Sequence, residues 1–178
     1  MKIYNDITNY KGKDCVATVG IFDGVHKGHQ KILSRVIEVA KQQNMESTVF
    51  TLWPHPRQVF NPENDSLRFL TTMDEKLELL EKQGIDNVII HPFNKEFSQL
   101  TACEFIKEFL VEKLKTRYLI AGFNHKFGKD QEGHYDNLLA CGKAYNFELE
   151  KLDALTEEGI KVSSTVIREK ILQGEIVK

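Results

Sequence analysis

Along this chain, short apolar runs alternate with longer segments in which apolar residues recur at helical spacing. An apolar, β-branched run over 15–19 is typical of a buried strand, and the spacing of apolar residues from Lys27 onward is typical of one face of a helix. Capping-box sequences at Thr72 and Thr101 mark two further helix starts. The same patterns predict further strands at 47–52, 88–90, 118–121 and 147–152, and further helices at 135–145 and from Ser164 onward.

Strands that alternate with helices predict a parallel sheet with crossover connections. We therefore expect an α/β fold, a Rossmann-like, doubly wound parallel sheet of about five strands with helices on both faces. Ligands of such sheets bind beyond the carboxyl ends of the strands, where the strand order reverses. The chain has 178 residues, and neither a linker nor a repeat interrupts the pattern, so we predict one domain over 1–178.

The turn that follows the first predicted strand is rich in glycine and carries two histidines. His26 and His29 lie three residues apart, and so on one face of the first helical turn. Glycine permits the positive φ angles of sharp turns, expected at Gly20 and Gly24, and lets a ligand approach the backbone at Gly28. Unpaired N–H groups and the macrodipole make a helix N-terminus a site for phosphate. The alternative is a glycine-rich turn whose histidines only cap the helix.

A second candidate phosphate site precedes the last predicted helix. Ser163, Ser164 and Thr165 offer hydroxyl and N–H groups where that helix begins. Arg168 stands about one turn further on and presents a guanidinium suited to phosphate oxygens. Without a ligand, the same serines and threonine make an ordinary helix N-cap. In the first motif, Asp23 could orient a histidine, cap the helix or restrain the turn, and its position leaves these three roles open.

Composition narrows the class of protein. The formal net charge is only −2, with acidic and basic residues interspersed, so no nucleic-acid partner is expected. No apolar run is long enough to cross a membrane or to act as a signal peptide. Cys15, Cys103 and Cys141 are odd in number and far apart, which argues against a disulfide framework or a zinc cluster. We therefore predict a cytoplasmic protein with reduced thiols, no membrane contact and an oligomeric state that stays open.

Four segments, taken in order along the chain, resemble the motifs of one enzyme family. The segment Gly20-Ile-Phe-Asp-Gly-Val-His-Lys-Gly-His29 is similar to the signature of the FMN adenylyltransferases. These enzymes form the FAD synthetase module of bacterial bifunctional riboflavin kinase/FAD synthetases, within the nucleotidylyltransferase superfamily. The His-x-Gly-His element is widespread, whereas the Phe-Asp-Gly-Val extension narrows the match. Segments that resemble the family's other motifs are 50–56 (Phe-Thr-Leu-Trp-Pro-His-Pro), 122–128 (Gly-Phe-Asn-His-Lys-Phe-Gly) and 162–168 (Val-Ser-Ser-Thr-Val-Ile-Arg).

The resemblance implies a nucleotidylyltransferase-type fold and the transfer of AMP from ATP to FMN, which yields FAD and pyrophosphate. An FMN phosphate is mostly dianionic at neutral pH, so no protein nucleophile or strong base is required. His26, His29 and Arg168 are then the expected catalytic residues, which align the reacting oxygens and neutralise charge on the triphosphate. We expect Mg²⁺ to accompany ATP, held by phosphate oxygens and water rather than by protein metal ligands.

The resemblance also implies the remaining site residues. Predicted ATP-binding residues are Gly20, Phe22, Asp23, Gly28, His29, Asn124, Ser163, Ser164, Thr165 and Arg168. Predicted FMN-binding residues are Pro54, His55, Pro56, Phe60, Asn124 and Phe127. Two prolines of fixed φ give a stiff wall beside the flavin ring, unless Pro-His-Pro merely ends a strand. Many relatives have Asp at the position of Asn124, and Asn cannot serve as a charged metal ligand or base.

Two alternative functions stay open at this point. The chain could be a non-catalytic module that binds flavin or nucleotide, or a nucleotidyltransferase that acts on another phosphorylated acceptor. The presence of both phosphate motifs favours the enzyme over the module. In the bifunctional family a riboflavin kinase domain follows this one. Because the sequence ends at Lys178, soon after the last predicted helix, we expect no kinase domain and no kinase activity.

Overall fold

The structure is a computed structural model that describes residues 1–61, 63, 68–123, 128, 135–157 and 159–175. Within these residues one parallel sheet contains six strands, which are β1 (Lys2–Tyr4), β2 (Cys15–Val19), β3 (Glu46–Trp53), β4 (Asn87–Pro92), β5 (Thr116–Gly122) and β6 (Glu148–Leu152). A short antiparallel hairpin follows β6 and consists of β7 (Thr156–Glu157) and β8 (Ile160–Lys161).

Of the six helices in the described residues, five lie where the hydrophobic periodicity and the capping boxes predict them, whereas the short helix over Pro56–Phe60 was not predicted. Thr72 and Thr101 both cap a helix with their side chains and complete a capping box with the glutamate three residues on. The helices are α1 (Lys27–Gln43), α2 (Pro56–Phe60), α3 (Met73–Gln83), α4 (Ala102–Glu104, continued as a π-helix over Phe105–Lys113), α5 (Tyr135–Tyr145) and α6 (Ser164–Leu172). Single 3₁₀ turns occur at Ile7–Asn9, Asp23–Val25 and Phe97–Gln99.

The strand order is β1-β4-β3-β2-β5-β6, and every neighbouring pair is parallel. The doubly wound parallel sheet is therefore confirmed, as are the five predicted strands. The sixth strand, β1, was not predicted, because it has only three residues and two of them are exposed at the sheet edge. The chain winds outward from β2 through β3 and β4, then returns to the other side of β2 with β5. Strand order thus reverses at β2.

Helices cover both faces of the sheet, as predicted. Alternate residues of β2 enter different cores, with Cys15 and Ala17 on one face and Val16 on the other. The first core packs α4 and α5 against the sheet, and the second packs α1 and α3. Because both faces are closed by apolar side chains, the open surface for a ligand is the edge at which the strands end.

The cysteines qualify one prediction. All three are free thiols, so the absence of a disulfide framework agrees with the sequence. Their separation in the sequence is misleading, however, because α4 packs against α5 and brings the Cys103 and Cys141 thiols together. Burial raises the pKa of Cys141, and the neighbouring Cys103 raises it further. In the described part of the chain, no helix has the length and apolar character needed to cross a membrane.

Candidate active site

A cavity of about 280 Å³ opens at the carboxyl edge of the sheet, around the point where strand order reverses. The turn after β2, the start of α1 and the start of α6 form its wall, so the two predicted phosphate motifs meet there. The predicted site residues that line it are Phe22, Asp23, His26, Gly28, His29, His55, Ser163, Ser164, Thr165 and Arg168.

The two histidines of the first motif form a stacked pair. Their ring centroids are 3.6 Å apart and their planes differ by 15°. His26 is the N-cap residue of α1, and its Nδ1 accepts a hydrogen bond of 3.3 Å from the backbone N–H of His29. A neutral imidazole whose Nδ1 accepts a hydrogen bond carries its proton on Nε2. The cap therefore fixes the tautomer of His26 that offers an Nε2–H donor.

Both imidazoles are held neutral. Burial, with smaller contributions from the nearby His26 and Lys76, lowers the pKa of His29 to about 3. Burial also lowers the pKa of His26. The buried Phe22 packs on His29, with 5.0 Å between ring centroids, and the buried His29 Nδ1 has no hydrogen-bond partner among the described atoms. At neutral pH these rings act as hydrogen-bond donors and not as cations.

The glycines of the first motif serve different purposes. Gly24 adopts a φ of +79°, as predicted, but the positive φ expected at Gly20 is wrong. Phe22 and Val25 take left-handed conformations instead, with φ of +54° and +37°. A Cβ on Gly28 would lie 3.2 Å from Nδ1 of His26, so the missing side chain makes room for that imidazole. We predicted that a ligand approaches the backbone at Gly28. In this structure the imidazole of His26, itself a candidate catalytic residue, fills that space.

The Asp23 carboxylate joins the two motifs. Its Oδ2 accepts a hydrogen bond of 2.6 Å from Arg168 Nη1, and both side chains are largely buried. Its Oδ1 accepts from the backbone N–H groups of Leu70 and Thr71 at 2.9 and 3.2 Å. The Ser164 hydroxyl donates to the Asp23 carbonyl at 3.0 Å. Of the three roles that the sequence left open, Asp23 therefore restrains the turn, and it also holds Arg168 at the cavity wall.

The start of α6 combines a helix cap with a cavity wall. Ser163 is the N-cap residue, and its hydroxyl accepts a hydrogen bond of 3.3 Å from the N–H of Val166. Thr165 is exposed and lines the cavity. The ordinary N-cap and the phosphate site, which the sequence presented as alternatives, are therefore compatible at the same residues.

The Pro-His-Pro segment contributes its histidine to the cavity. His55 caps α2, because its Nδ1 accepts a hydrogen bond of 3.0 Å from the N–H of Arg57. As at His26, this bond leaves the proton of the neutral ring on Nε2. Burial, with a smaller contribution from the nearby Arg57, lowers the pKa of His55 to about 4. His55 lies in the same cavity wall as His26 and Arg168, so it faces the phosphate motifs.

Of the predicted FMN residues, Pro54, Pro56 and Phe60 lie outside this cavity. A second cavity, of about 670 Å³, adjoins the first and shares Arg57, Thr165 and Arg168 with it, and Phe69 lines its wall. The Phe69 ring lies 5.7 Å from the ring of His55. The structure does not bring Pro54, Pro56 or Phe60 into the wall of either cavity. The Phe60 ring is 56% exposed and contacts Phe93.

Several predicted residues lie elsewhere. Gly20 is outside the cavity wall and donates its N–H to the carbonyl of Phe50 at 3.0 Å. Asn124 and Phe127 fall outside the described residues. Sequence reasoning missed Lys76, because the hydrophobic periodicity of its helix does not indicate that this lysine is buried. It also missed Arg57, which directly follows the Pro-His-Pro segment, and Phe69, which lies in none of the four motif segments.

The sheet, the two helix starts at the strand-order reversal and the cavity between them define an α/β protein of nucleotidylyltransferase-like fold. Solved structures agree. A Streptococcus pneumoniae protein described as a macrolide-efflux protein superposes with a TM-score of 0.85 at 26% identity, over 98% of this chain and 58% of that chain. Pantoate-beta-alanine ligase from Francisella tularensis has the same fold, with a TM-score of 0.61 at 16% identity, over 94% of this chain and 73% of that chain.

The sequence comparisons identify the family. The family model described as FAD synthetase matches residues 8–166, and the chain therefore belongs to the FAD synthetase family. The bifunctional riboflavin kinase/FMN adenylyltransferases of Buchnera aphidicola (subsp. Schizaphis graminum) and Escherichia coli K12 are 35% and 33% identical over 99% of this chain. The match covers 57% of each of those proteins, so this chain spans little more than half the length of these relatives.

Proposed function

We propose that this chain is an ATP:FMN adenylyltransferase, which transfers AMP from ATP to FMN and releases FAD and pyrophosphate. One observation carries the proposal. The Asp23–Arg168 hydrogen bond and the Ser164 contact bring both phosphate motifs onto one cavity, as a polyphosphate substrate requires. Membership of the FAD synthetase family supplies the two substrates. The free thiols accord with a reducing compartment, and we place the reaction in the cytoplasm.

The proposed chemistry is a single displacement at phosphorus. An oxygen of the FMN phosphate attacks the α-phosphorus of ATP, and a new P–O bond forms as the bond to the bridging oxygen of pyrophosphate breaks. Negative charge grows on the triphosphate during this step, so donors that are already oriented lower the barrier. The Nε2–H groups of His26 and His55 and the guanidinium of Arg168 are among the donors that the cavity wall provides, beside Arg57 and the hydroxyl groups at the start of α6. No protein group needs to accept a proton.

Magnesium enters this proposal with the nucleotide. Among the described residues, no group of three histidine, cysteine, aspartate or glutamate side chains comes together to hold a metal ion. The Asp23 oxygens already accept hydrogen bonds from Arg168 and two backbone N–H groups. A hydrated Mg²⁺ held by phosphate oxygens needs few protein ligands, and it would shield the charge of the triphosphate.

The second cavity is the place that we propose for the flavin. It adjoins the phosphate cavity at Arg168, and Phe69 and Leu70 give its wall an aromatic and aliphatic part. An isoalloxazine ring needs such a surface, and its phosphate must still reach the triphosphate. The shared wall of Arg57, Thr165 and Arg168 meets both requirements. Phe69 therefore replaces Phe60 as the aromatic residue proposed to contact the flavin.

The direct test is to mix the protein with FMN, ATP and Mg²⁺ and to measure FAD and pyrophosphate together. Equal amounts of both products are expected. The absence of both would reject the proposal, and FMN binding without turnover would identify a binding module instead. Pyrophosphate release only with another phosphorylated acceptor would show that FMN is not the substrate.

A substitution at His26 separates its capping role from its chemical role. Asn is a good N-cap residue but lacks the imidazole donor, so His26→Asn should retain wild-type stability and lower kcat roughly 100-fold. An unchanged kcat in His26→Asn would show that His26 acts only as the helix cap.

Two further variants test the other expected catalytic residues. His29→Ala should lower kcat far more than the affinity for FMN, and Arg168→Ala should raise the KM for ATP.

A further inference from the structure

Lys76 is an anomaly in the second turn of α3. Only 4% of its surface is exposed, although lysine is rarely buried unless it is paired. Among the described residues, no carboxylate lies within salt-bridge distance of its Nζ, and no hydrogen bond from its Nζ is found. Burial lowers the pKa of Lys76, and Asp23 opposes that shift. The Nζ of Lys76 is not among the fully buried described atoms that lack a partner, so the ammonium keeps slight contact with water while the rest of the side chain is buried. Partial burial of an ammonium without a close carboxylate is still unfavourable.

Lys76 lies close behind the candidate active site. Helix α3 packs against the Asp23–Val25 turn, and the N–H of Gly24 donates to the Thr71 hydroxyl at 3.1 Å just before that helix begins. Lys76 contributes to the lowered pKa values of His29 and His55, and Asp23 opposes the lowering of the pKa of Lys76; all three of these residues line the cavity. Lys76 is not itself part of the cavity wall, so its ammonium acts from behind these three side chains.

The charges of the cavity wall show what this ammonium adds. Among the described wall residues, the cations are Arg57 and Arg168 and the anions are Asp23 and Asp153. The formal charges of these four side chains cancel, and the histidines are neutral. A wall without net charge is poorly matched to a triphosphate, which carries several negative charges. Lys76 supplies positive charge in excess of this balance.

We propose that Lys76 is a positioning residue for the polyphosphate, whose largely buried side chain adds positive potential to a wall whose described side chains have no net charge, and so draws the triphosphate of ATP onto the two motifs. The inference rests on the proposed function, because it assigns a further residue to the same site. The electric field of the Lys76 ammonium acts through protein of low dielectric constant. Salt therefore screens this charge less than it screens a charge on the surface.

The test compares Lys76→Met with Lys76→Arg in the full chain. Met has a similar length and no charge, whereas Arg keeps the charge. Lys82→Met is the matched control, because Lys82 is an exposed residue of the same helix. Binding of inorganic tripolyphosphate is measured by calorimetry, and unfolding is measured by differential scanning calorimetry. We expect Lys76→Met to weaken binding roughly tenfold, with Lys76→Arg and Lys82→Met within about threefold of wild type.

Stability separates this role from a structural one. Replacing a buried ammonium that has no close partner by an apolar side chain should leave the Tm of Lys76→Met equal to that of wild type or higher. Wild-type tripolyphosphate affinity in Lys76→Met would overturn the proposal, and so would equally weak binding in Lys76→Arg. Should Lys76→Met fail to fold, Lys76→Gln carries the same test. If wild type makes no FAD, the proposed function fails, while the tripolyphosphate comparison still decides the role of Lys76.

Discussion

Neutralising Asp23 tests the ion pair that joins the two motifs. In Asp23→Asn, the amide oxygen can still accept from the N–H groups of Leu70 and Thr71, but the charge opposite Arg168 is lost. The two side chains are only 5% and 16% exposed, so the Arg168 guanidinium would stay mostly buried without its counter-ion. Breaking a buried pair in this way costs about 3–5 kcal/mol. We expect the lower end, about 3 kcal/mol, because Arg168 retains some access to water.

The measurement is a double-mutant cycle. Urea unfolding of wild type, Asp23→Asn, Arg168→Met and the double variant gives the coupling free energy between the two side chains. For a chain of this size, a loss of 3 kcal/mol corresponds to a fall in Tm of about 6–12 °C. We expect a coupling of about 2 kcal/mol, since the double variant no longer buries an unpaired charge. A loss below about 1 kcal/mol in Asp23→Asn, or a coupling near zero, would refute the argument.

Three further predictions concern the first motif. Gly24→Ala should lower the free energy of unfolding by about 1–3 kcal/mol in urea, because its Cβ would lie 2.7 Å from Leu70 Cδ1 at a φ of +79°; unchanged stability would contradict this. Gly28→Ala should slow FAD formation with little loss of stability, since its Cβ presses on His26, and an unchanged kcat would exclude that contact as important. His29 should make unfolding pH-dependent: its folded pKa of about 3 lies below the unfolded value of about 6.5, so stability falls as the pH drops below 6.5. His29→Gln should show a shallower slope in pH-dependent thermal unfolding, and an identical slope would rule out this contribution.

The sequence predicts those parts of the fold that local patterns encode. Buried strands appear as apolar runs, and the capping boxes at Thr72 and Thr101 mark helix starts because each involves only neighbouring residues. Strand β1 has no such signal, since an exposed three-residue edge strand owes its place to pairing with β4. The positive φ angles of Phe22 and Val25 are equally hidden, because tertiary contacts impose them on residues that disfavour them.

The candidate site shows the same limit. Both phosphate motifs are legible in the sequence, and the structure brings them to one cavity. The hydrogen bond that connects them cannot be predicted, because nothing near Asp23 in the sequence indicates a partner 145 positions away. Nor does periodicity distinguish the buried Lys76 from the exposed Lys82 of the same helix, since a single charged residue on a helix face is normally solvated. Which polar residues turn inward depends on what the rest of the fold places beside them.

The distance along the chain between Asp23 and Arg168 also bears on how the protein is made. During synthesis, β2 and its turn leave the ribosome well before the guanidinium that neutralises Asp23, which is made 145 residues later. Until then the carboxylate has only backbone N–H groups to bind, and the nascent chain lacks one wall of the candidate active site. The two motifs can therefore come together only after α6 has been made, and a chain that stops before α6 lacks the second of them.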